Sequence, residues 1–113
     1  MKAPLALCVL VSLATPALAD TPPSRLDNVL DSGTLTVCTT GDYKPYTFLR
    51  ADGRYEGIDI AMVESLAKSL NAKIAWVPTT WKTLMPDFLA QRCDIAVGGI
   101  SVSLERQKKA FFS

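Results

Sequence analysis

Residues 34–40, Thr-Leu-Thr-Val-Cys-Thr-Thr, constrain the fold of this chain more than any other stretch. β-Branched residues dominate the run and no charge interrupts it, so a strand made from it needs cover on both faces, as in the interior of a parallel sheet. Two further runs read as strands: Lys73–Pro78 (KIAWVP), with Trp76 embedded in a structural role, and Asp94–Ser101, which starts with the apolar Ile95, Ala96 and Val97. Helical signals lie around them. Ser24-Arg-Leu-Asp27 has the spacing of a capping box and opens a short helix through Leu30 that Gly33 ends. Asp59 is placed to cap a helix with Ile60, Val63, Leu66, Ala67 and Leu70 on one side, Glu64 and Lys68 outside, and Asn71 at its end. Pro86 and Asp87 suit the first turn of a helix to about Gln91, and Ser103 caps a last short one. Residues 46–58 form a hairpin with Asp52-Gly53 at its turn. Strands alternating with helices predict an α/β fold with right-handed crossovers and a parallel sheet flanked by helices.

The first residues do not belong to that pattern. Lys2, the apolar run from Leu5 to Ala14, and Ala17-Leu18-Ala19 before Asp20 describe a secretory signal peptide over 1–19, too short for a permanent membrane span. Leu7-Cys8 lies inside the apolar core, which argues against a lipid attachment site. Residues 20–24, with Pro22-Pro23, lead onto a domain over 25–113, expected to be exported to the periplasm without stable membrane insertion. The apolar ending Ala110-Phe-Phe-Ser113 carries no helix stop and reads as the front part of a larger protein. Twelve basic and eleven acidic residues give a formal charge of +1, which offers neither nucleic acid nor a membrane surface an electrostatic hold. There is no His and no CxxC, so these residues cannot build a zinc site or a Ser/His/Asp triad, and no cofactor is implied.

Three strand ends should converge on one edge of the sheet, bringing together Thr40–Tyr43, Thr79–Trp81 and Gly98–Ser101; in open α/β sheets that edge is where ligands bind. Gly98-Gly99 strips side chains from the third end, and the helix start at Ser103 adds backbone N–H groups and a positive dipole end, an arrangement suited to a carboxylate. Arg106 then stands in the first turn, where the dipole disfavours a cation unless a negative group lies beside it. That group is either Glu105 or the carboxylate of a ligand. Tyr43 is open to a ligand-facing or a packing role, whereas Tyr46 and Trp81 are expected to pack as core. Cys38 falls within one strand and Cys93 at the start of another, so their Cα atoms are expected to lie beyond bonding range and both to serve as small buried hydrophobes.

Gly57-Ile-Asp59 opening a helix, Leu84-Met-Pro-Asp-Phe88 before a short one, and Asp94-Ile-Ala through Gly-Ile-Ser and Glu-Arg to Phe112-Ser113 resemble the family 3 extracellular solute-binding proteins over Arg25–Ser113. Within that family, Thr39–Tyr46, Val77–Trp81 and Gly99–Gln107 resemble the periplasmic cyclohexadienyl dehydratases. The resemblance implies a two-lobed periplasmic-binding-protein-like fold that closes on its ligand, of which this chain gives most of lobe one. It places Arg106 where the ligand's α-carboxylate is clamped, Ser101 beside it, Gly99 where a carbonyl meets the amino group, and Tyr43 as an aromatic lid. Gly98 and Thr40 line the same edge. Ile58 stands where amino-acid binders commonly carry a ring, and Ala61 replaces a frequent acid. A dehydratase would take prephenate or arogenate to phenylpyruvate or phenylalanine with loss of water and carbon dioxide; the alternative is an amino-acid receptor partnered by an ABC permease. Asp42 and Lys44 read as solvated loop charges, so the resemblance puts the general acid in lobe two. Residues 1–113 alone are expected to show neither binding nor turnover.

Overall fold

The structure is a computed structural model describing residues 2–4, 14–17 and 21–113. The apolar core of the signal peptide and its cleavage position after Ala19 lie outside the described residues.

The capping box forms as expected. Ser24 Oγ accepts from Asp27 N–H at 3.1 Å and the Asp27 carboxylate accepts from Ser24 N–H at 3.0 Å, starting α1 (Arg25–Ser32), which Gly33 closes in a left-handed conformation (φ 68°). β1 (Thr34–Thr39) then enters the middle of a parallel sheet. It pairs along its full length with β5 (Lys73–Pro78), from Thr34 opposite Lys73 to Thr39 opposite Pro78, and on its other side with β6 (Ile95–Ala96). That central position accounts for its lack of charge. Leu35 and Val37 face Val29 of α1 and Val63 and Ala67 of α2 (Ile58–Ser69), while Cys38 faces Leu84 at the start of α3 (Leu84–Leu89) together with Cys93.

Several expectations need correction. The third strand is confined to Ile95–Ala96 rather than reaching Ser101, because Gly98 and Gly99 take positive φ (126° and 69°) and turn the chain off the sheet. Residues 41–46 are more than a loop: β2 (Asp42–Tyr43) joins β3 (Thr47–Leu49) and β4 (Tyr55–Glu56) in a second, antiparallel sheet, with the expected Asp52-Gly53 turn between β3 and β4. Leu66 is 43% exposed and off the buried face of α2, which Ile60, Val63 and Ala67 supply. Asp59 does not cap α2. Gly57 does, with φ 136°, in a corner where any Cβ would collide with the Tyr46 carbonyl; Asp59 sits inside the first turn and its carboxylate is used elsewhere.

Cys38 and Cys93 form a disulfide, contrary to the expectation of two free thiols. Cys93 precedes β6 instead of starting it, and the turn after α3 carries it back over the β1 face that bears Cys38. The Cα atoms are 5.6 Å apart, inside the range a bridge needs. The same turn is held from the other side: Arg25 donates to the carbonyls of Gln91 and Cys93 at 2.9 and 3.0 Å and pairs with Asp94 at 3.2 Å, while Asp94 accepts from the Thr36 N–H and hydroxyl at 2.8 and 2.7 Å. Trp76 keeps the structural role expected of it, packing against Tyr55 at 4.9 Å between centroids, and burial pushes the Tyr55 phenol above its ordinary value of 10.0.

Candidate functional site

The parallel pairing puts the carboxyl ends of β1, β5 and β6 on one edge, and the three loops predicted to converge there do so. Tyr43 and Tyr46 both lie against Gly99. A Cβ on that glycine would stand 2.6 Å from Tyr43 Cδ1 and 2.7 Å from Tyr46 Cδ2, so only a bare backbone fits under the two rings. The ring centroids of Tyr43 and Tyr46 are 5.1 Å apart; Tyr43 and Trp81 meet edge to face at 5.9 Å. Trp81 Nε1 donates to Asp42 Oδ1 at 3.0 Å, which ties the loop after β5 to the loop after β1.

Tyr46 and Trp81, expected in the core, are 37% and 41% exposed, close to the 44% of Tyr43. They build an aromatic surface at the sheet's end because β1, β2 and Gly99 leave no space beneath for whole rings. Ile58, placed by resemblance at a ring-bearing position, is 53% exposed on α2, and the rings beside Tyr43 are those of Tyr46 and Trp81. Sequence reasoning placed Trp81 on the strand-end edge but gave it a packing role; its position three residues beyond Pro78, the last residue of β5, matches that of Tyr43, four beyond the last residue of β1.

The Gly98-Gly99 turn is expected from its sequence to present free N–H groups to an anion. They are occupied: both donate to Asp59 Oδ2, at 3.0 and 2.7 Å. Asp59 thereby locks the turn and takes its N–H groups out of reach of an anion. Gly98 is wedged as tightly as Gly99, since a Cβ there would come within 2.6 Å of Thr47 Cγ2 and 3.0 Å of Thr39 Oγ1, beside the buried 2.7 Å contact between the Thr39 and Thr47 hydroxyls that joins the two sheets. Asp59→Asn retains an oxygen acceptor and loses the charge, so it should cost about 1–2 kcal/mol, the difference between charged and neutral hydrogen bonds. A lower urea midpoint with an unchanged slope checks this; an unchanged midpoint rules out Asp59 as the lock.

Arg106 belongs to α4 (Leu104–Gln107), which Ser103 caps by accepting from Arg106 N–H at 3.2 Å. Its Nη1 donates to the Ser101 carbonyl and hydroxyl at 2.8 and 3.0 Å. Glu105 is not its partner; that carboxylate holds Lys108 at 3.1 Å, and among the described residues Arg106 makes no ion pair. Two bonds on Nη1 fix the plane of a guanidinium that has five N–H donors, and Nη2 and Nε keep the fork geometry that suits a carboxylate. Thr40 follows directly on the central strand; its hydroxyl and that of Thr79 are buried with no partner among the described residues. Asp42, read as a solvated charge, is the acceptor for Trp81, and Lys44 lies 4.0 Å over the Phe48 ring.

An open depression of about 830 Å³, lined by Gly33, Glu64, Lys68, Lys73 and Trp76, lies near the opposite edge of the sheet, away from the strand-end site. Among the described residues there is no cluster of three metal-ligating side chains and no helix long and apolar enough to cross a membrane.

The chain is 51% identical over 108 residues to cyclohexadienyl dehydratase of Pseudomonas aeruginosa, covering 96% of this chain and 40% of that protein. A solved ancestral cyclohexadienyl dehydratase superposes with a TM-score of 0.74 at 54% identity, over 79% of this chain and 37% of the other. The arginine-bound form of domain 1 from TmArgBP superposes with a TM-score of 0.68 at 27% identity, over 73% of this chain and 65% of the other. The chain thus spans about 40% of the length of the curated relative it matches. The family model of the bacterial extracellular solute-binding proteins, family 3, matches residues 35–113, the span that holds the parallel sheet, the aromatic shelf and Arg106, and the chain belongs to that family.

Proposed function

We propose that this chain supplies one lobe of an exported, periplasmic cyclohexadienyl dehydratase, which takes prephenate or arogenate to phenylpyruvate or phenylalanine by loss of water and carbon dioxide. The observation that carries this reading is the 51% identity to a cyclohexadienyl dehydratase over 108 residues, a matched span of 96% of this chain. In this reading Arg106, fixed by Ser101, grips the substrate's side-chain carboxylate, and Tyr43 and Trp81 cover the six-membered ring. The Gly98 and Gly99 carbonyls bound the polar end. Gripping one carboxylate in a fixed pose while a second is carried into a poorly hydrated cleft favours decarboxylation, because charge then leaves a group with little solvent to hold it. Protonation of the leaving hydroxyl falls to a group outside this lobe, since Asp42 is engaged by Trp81 and Lys44 by Phe48.

The second reading is an amino-acid receptor for an ABC permease, favoured by the likeness to an arginine-bound domain. That domain 1 is arginine-bound on its own also bears on the expectation that residues 1–113 bind nothing: in that protein a single domain holds its ligand, and the expectation is narrowed here to catalysis. The test is to follow phenylpyruvate formation from prephenate by the protein carrying both lobes. Turnover that Arg106→Ala abolishes supports the enzyme; no turnover together with tight binding of an amino acid replaces it with the receptor.

A further inference from the structure

The segment from Gly98 to Val102 leads from the sheet to the helix that carries Arg106, and few bonds hold it. The last sheet bond before it runs from Val97 N–H to the Cys38 carbonyl at 2.9 Å, and α4 begins at its Ser103 cap. Between these points, residues 98–102 make no backbone-to-backbone hydrogen bond among the described residues. Stiffer residues cannot replace the two glycines, because Thr39, Thr47, Tyr43 and Tyr46 fill the space a Cβ would need and both backbones take positive φ. Two glycines in series have more conformational freedom than any other residue pair, so the restraint has to come from outside the turn.

Asp59 is that restraint. Its Oδ2 accepts from both glycine N–H groups, at 3.0 and 2.7 Å, and among the described residues the carboxylate makes no ion pair. The same residue holds the aromatic loop through its backbone: Asp59 N–H donates to the Tyr46 carbonyl at 3.1 Å, and Ile58 N–H donates to the Pro45 carbonyl at 2.9 Å. The first turn of α2 is thus a bracket between the loop that carries Tyr43 and the turn that leads, two residues on, to Ser101. Ser101 passes the orientation on, since its carbonyl and hydroxyl fix Arg106 Nη1 at 2.8 and 3.0 Å. A carboxylate suits the task because charged acceptors make the stronger hydrogen bonds and an acid is favoured in the first turn of a helix.

We propose that Asp59 is a positioning residue for ligand binding, whose carboxylate sets the Gly98-Gly99 turn and, through Ser101, the aim of the Arg106 guanidinium. It acts through the turn and not on the ligand. The backbone bonds to Pro45 and Tyr46 survive a side-chain exchange, so a change at Asp59 loosens the arginine arm and leaves the aromatic loop in place. The inference rests on the reading in which Arg106 grips the substrate's carboxylate.

The experiment uses the protein carrying both lobes and compares wild type, Asp59→Asn, Arg106→Ala and the double variant. It measures kcat/KM for prephenate, the urea midpoint, and affinity for phenylpyruvate by fluorescence titration carried high enough to reach the weak binding expected without Arg106. Asp59→Asn should weaken phenylpyruvate binding and lower kcat/KM about tenfold. With Arg106 already alanine the same exchange should change affinity less than about twofold, because no guanidinium is left to aim. Asp59→Glu, which keeps the charge but adds a methylene and so displaces the turn, should lose affinity in the same Arg106-dependent way. Val63→Ala, which removes buried methyls from α2 away from the turn, should lower the urea midpoint and leave affinity within about twofold, separating aim from stability. Equal losses in both Arg106 backgrounds, no loss in either, or a loss in Val63→Ala matching that of Asp59→Asn would overturn the positioning role alone. A wild type that neither turns over prephenate nor binds phenylpyruvate removes the dehydratase reading and this inference with it, and an Arg106→Ala that binds like wild type removes the carboxylate grip and the inference together.

Discussion

Replacing Arg106 by alanine in the protein carrying both lobes should weaken binding of the carboxylate ligand proposed above by roughly 10²- to 10³-fold, within the 2–5 kcal/mol that removal of one partner from a desolvated charge pair costs. The expectation follows from how the guanidinium is held. Ser101 fixes Nη1 twice, through its carbonyl and its hydroxyl, and Glu105 is occupied by Lys108, so the charge is oriented without being neutralised. The lysine variant separates charge from geometry: Arg106→Lys keeps a cation but has no planar fork, and should recover only part of the loss. Isothermal titration of both variants checks this. If alanine costs less than about twofold, below the range a neutral hydrogen bond spans, the carboxylate is held elsewhere. Because Arg106 packs on a four-residue helix near the edge of the lobe, its removal should leave the thermal midpoint almost unchanged, which distinguishes a lost contact from a lost fold.

Much of this architecture is legible in residue types alone, and the places where it is not share a cause. Residues 34–40 announce a central strand because burial on both faces excludes charge, and Ser24, Asp27 and Gly33 mark the bounds of α1 because caps are local chemistry. What escapes is every arrangement that depends on a partner far along the chain. Asp59 looks like an N-cap by position, yet it answers to Gly98 and Gly99, about forty residues on. The glycine pair looks like a free anion cradle for the same reason, since nothing local shows that its N–H groups are taken. Trp81 and Tyr46 read as core because large rings usually are, and their exposure comes from Gly99 and β2 filling the layer below. Arg106 draws notice in the sequence as a cation in a helix's first turn, but α4 has only four residues and carries it in the last turn, so the dipole conflict does not exist; what stands is a guanidinium oriented by Ser101 while Glu105 holds Lys108.

Removing the Cys38–Cys93 bridge should lower the stability of the lobe by about 4 kcal/mol, the chain-entropy value for a closed loop of 55 residues. The geometry argues that most of this acts on the unfolded chain. Cys38 and Cys93 are 0% and 1% exposed, and the Cys93 turn is independently anchored by Arg25 and by the bonds between Asp94 and Thr36, so the native path survives without the sulfur link. Buried serines would add an unsatisfied hydroxyl at each position, which makes the double alanine variant the cleaner probe; deleting two fully buried sulfurs packed against Leu84, Val77 and Phe88 adds a cavity term on top of the loop term, so the variant should fall below reduced wild type. Urea unfolding of the Cys38→Ala/Cys93→Ala protein, beside wild type with and without reductant, measures the effect. Reductant should displace the wild-type midpoint towards that of the variant and leave the variant itself unmoved. A bridge that matters through the unfolded state should also leave ligand affinity within about twofold, since differences of that size are a few tenths of a kcal/mol. A large affinity loss on reduction would instead mean that the bridge shapes the shelf directly, through β1 and the Thr40–Tyr43 loop that follows it.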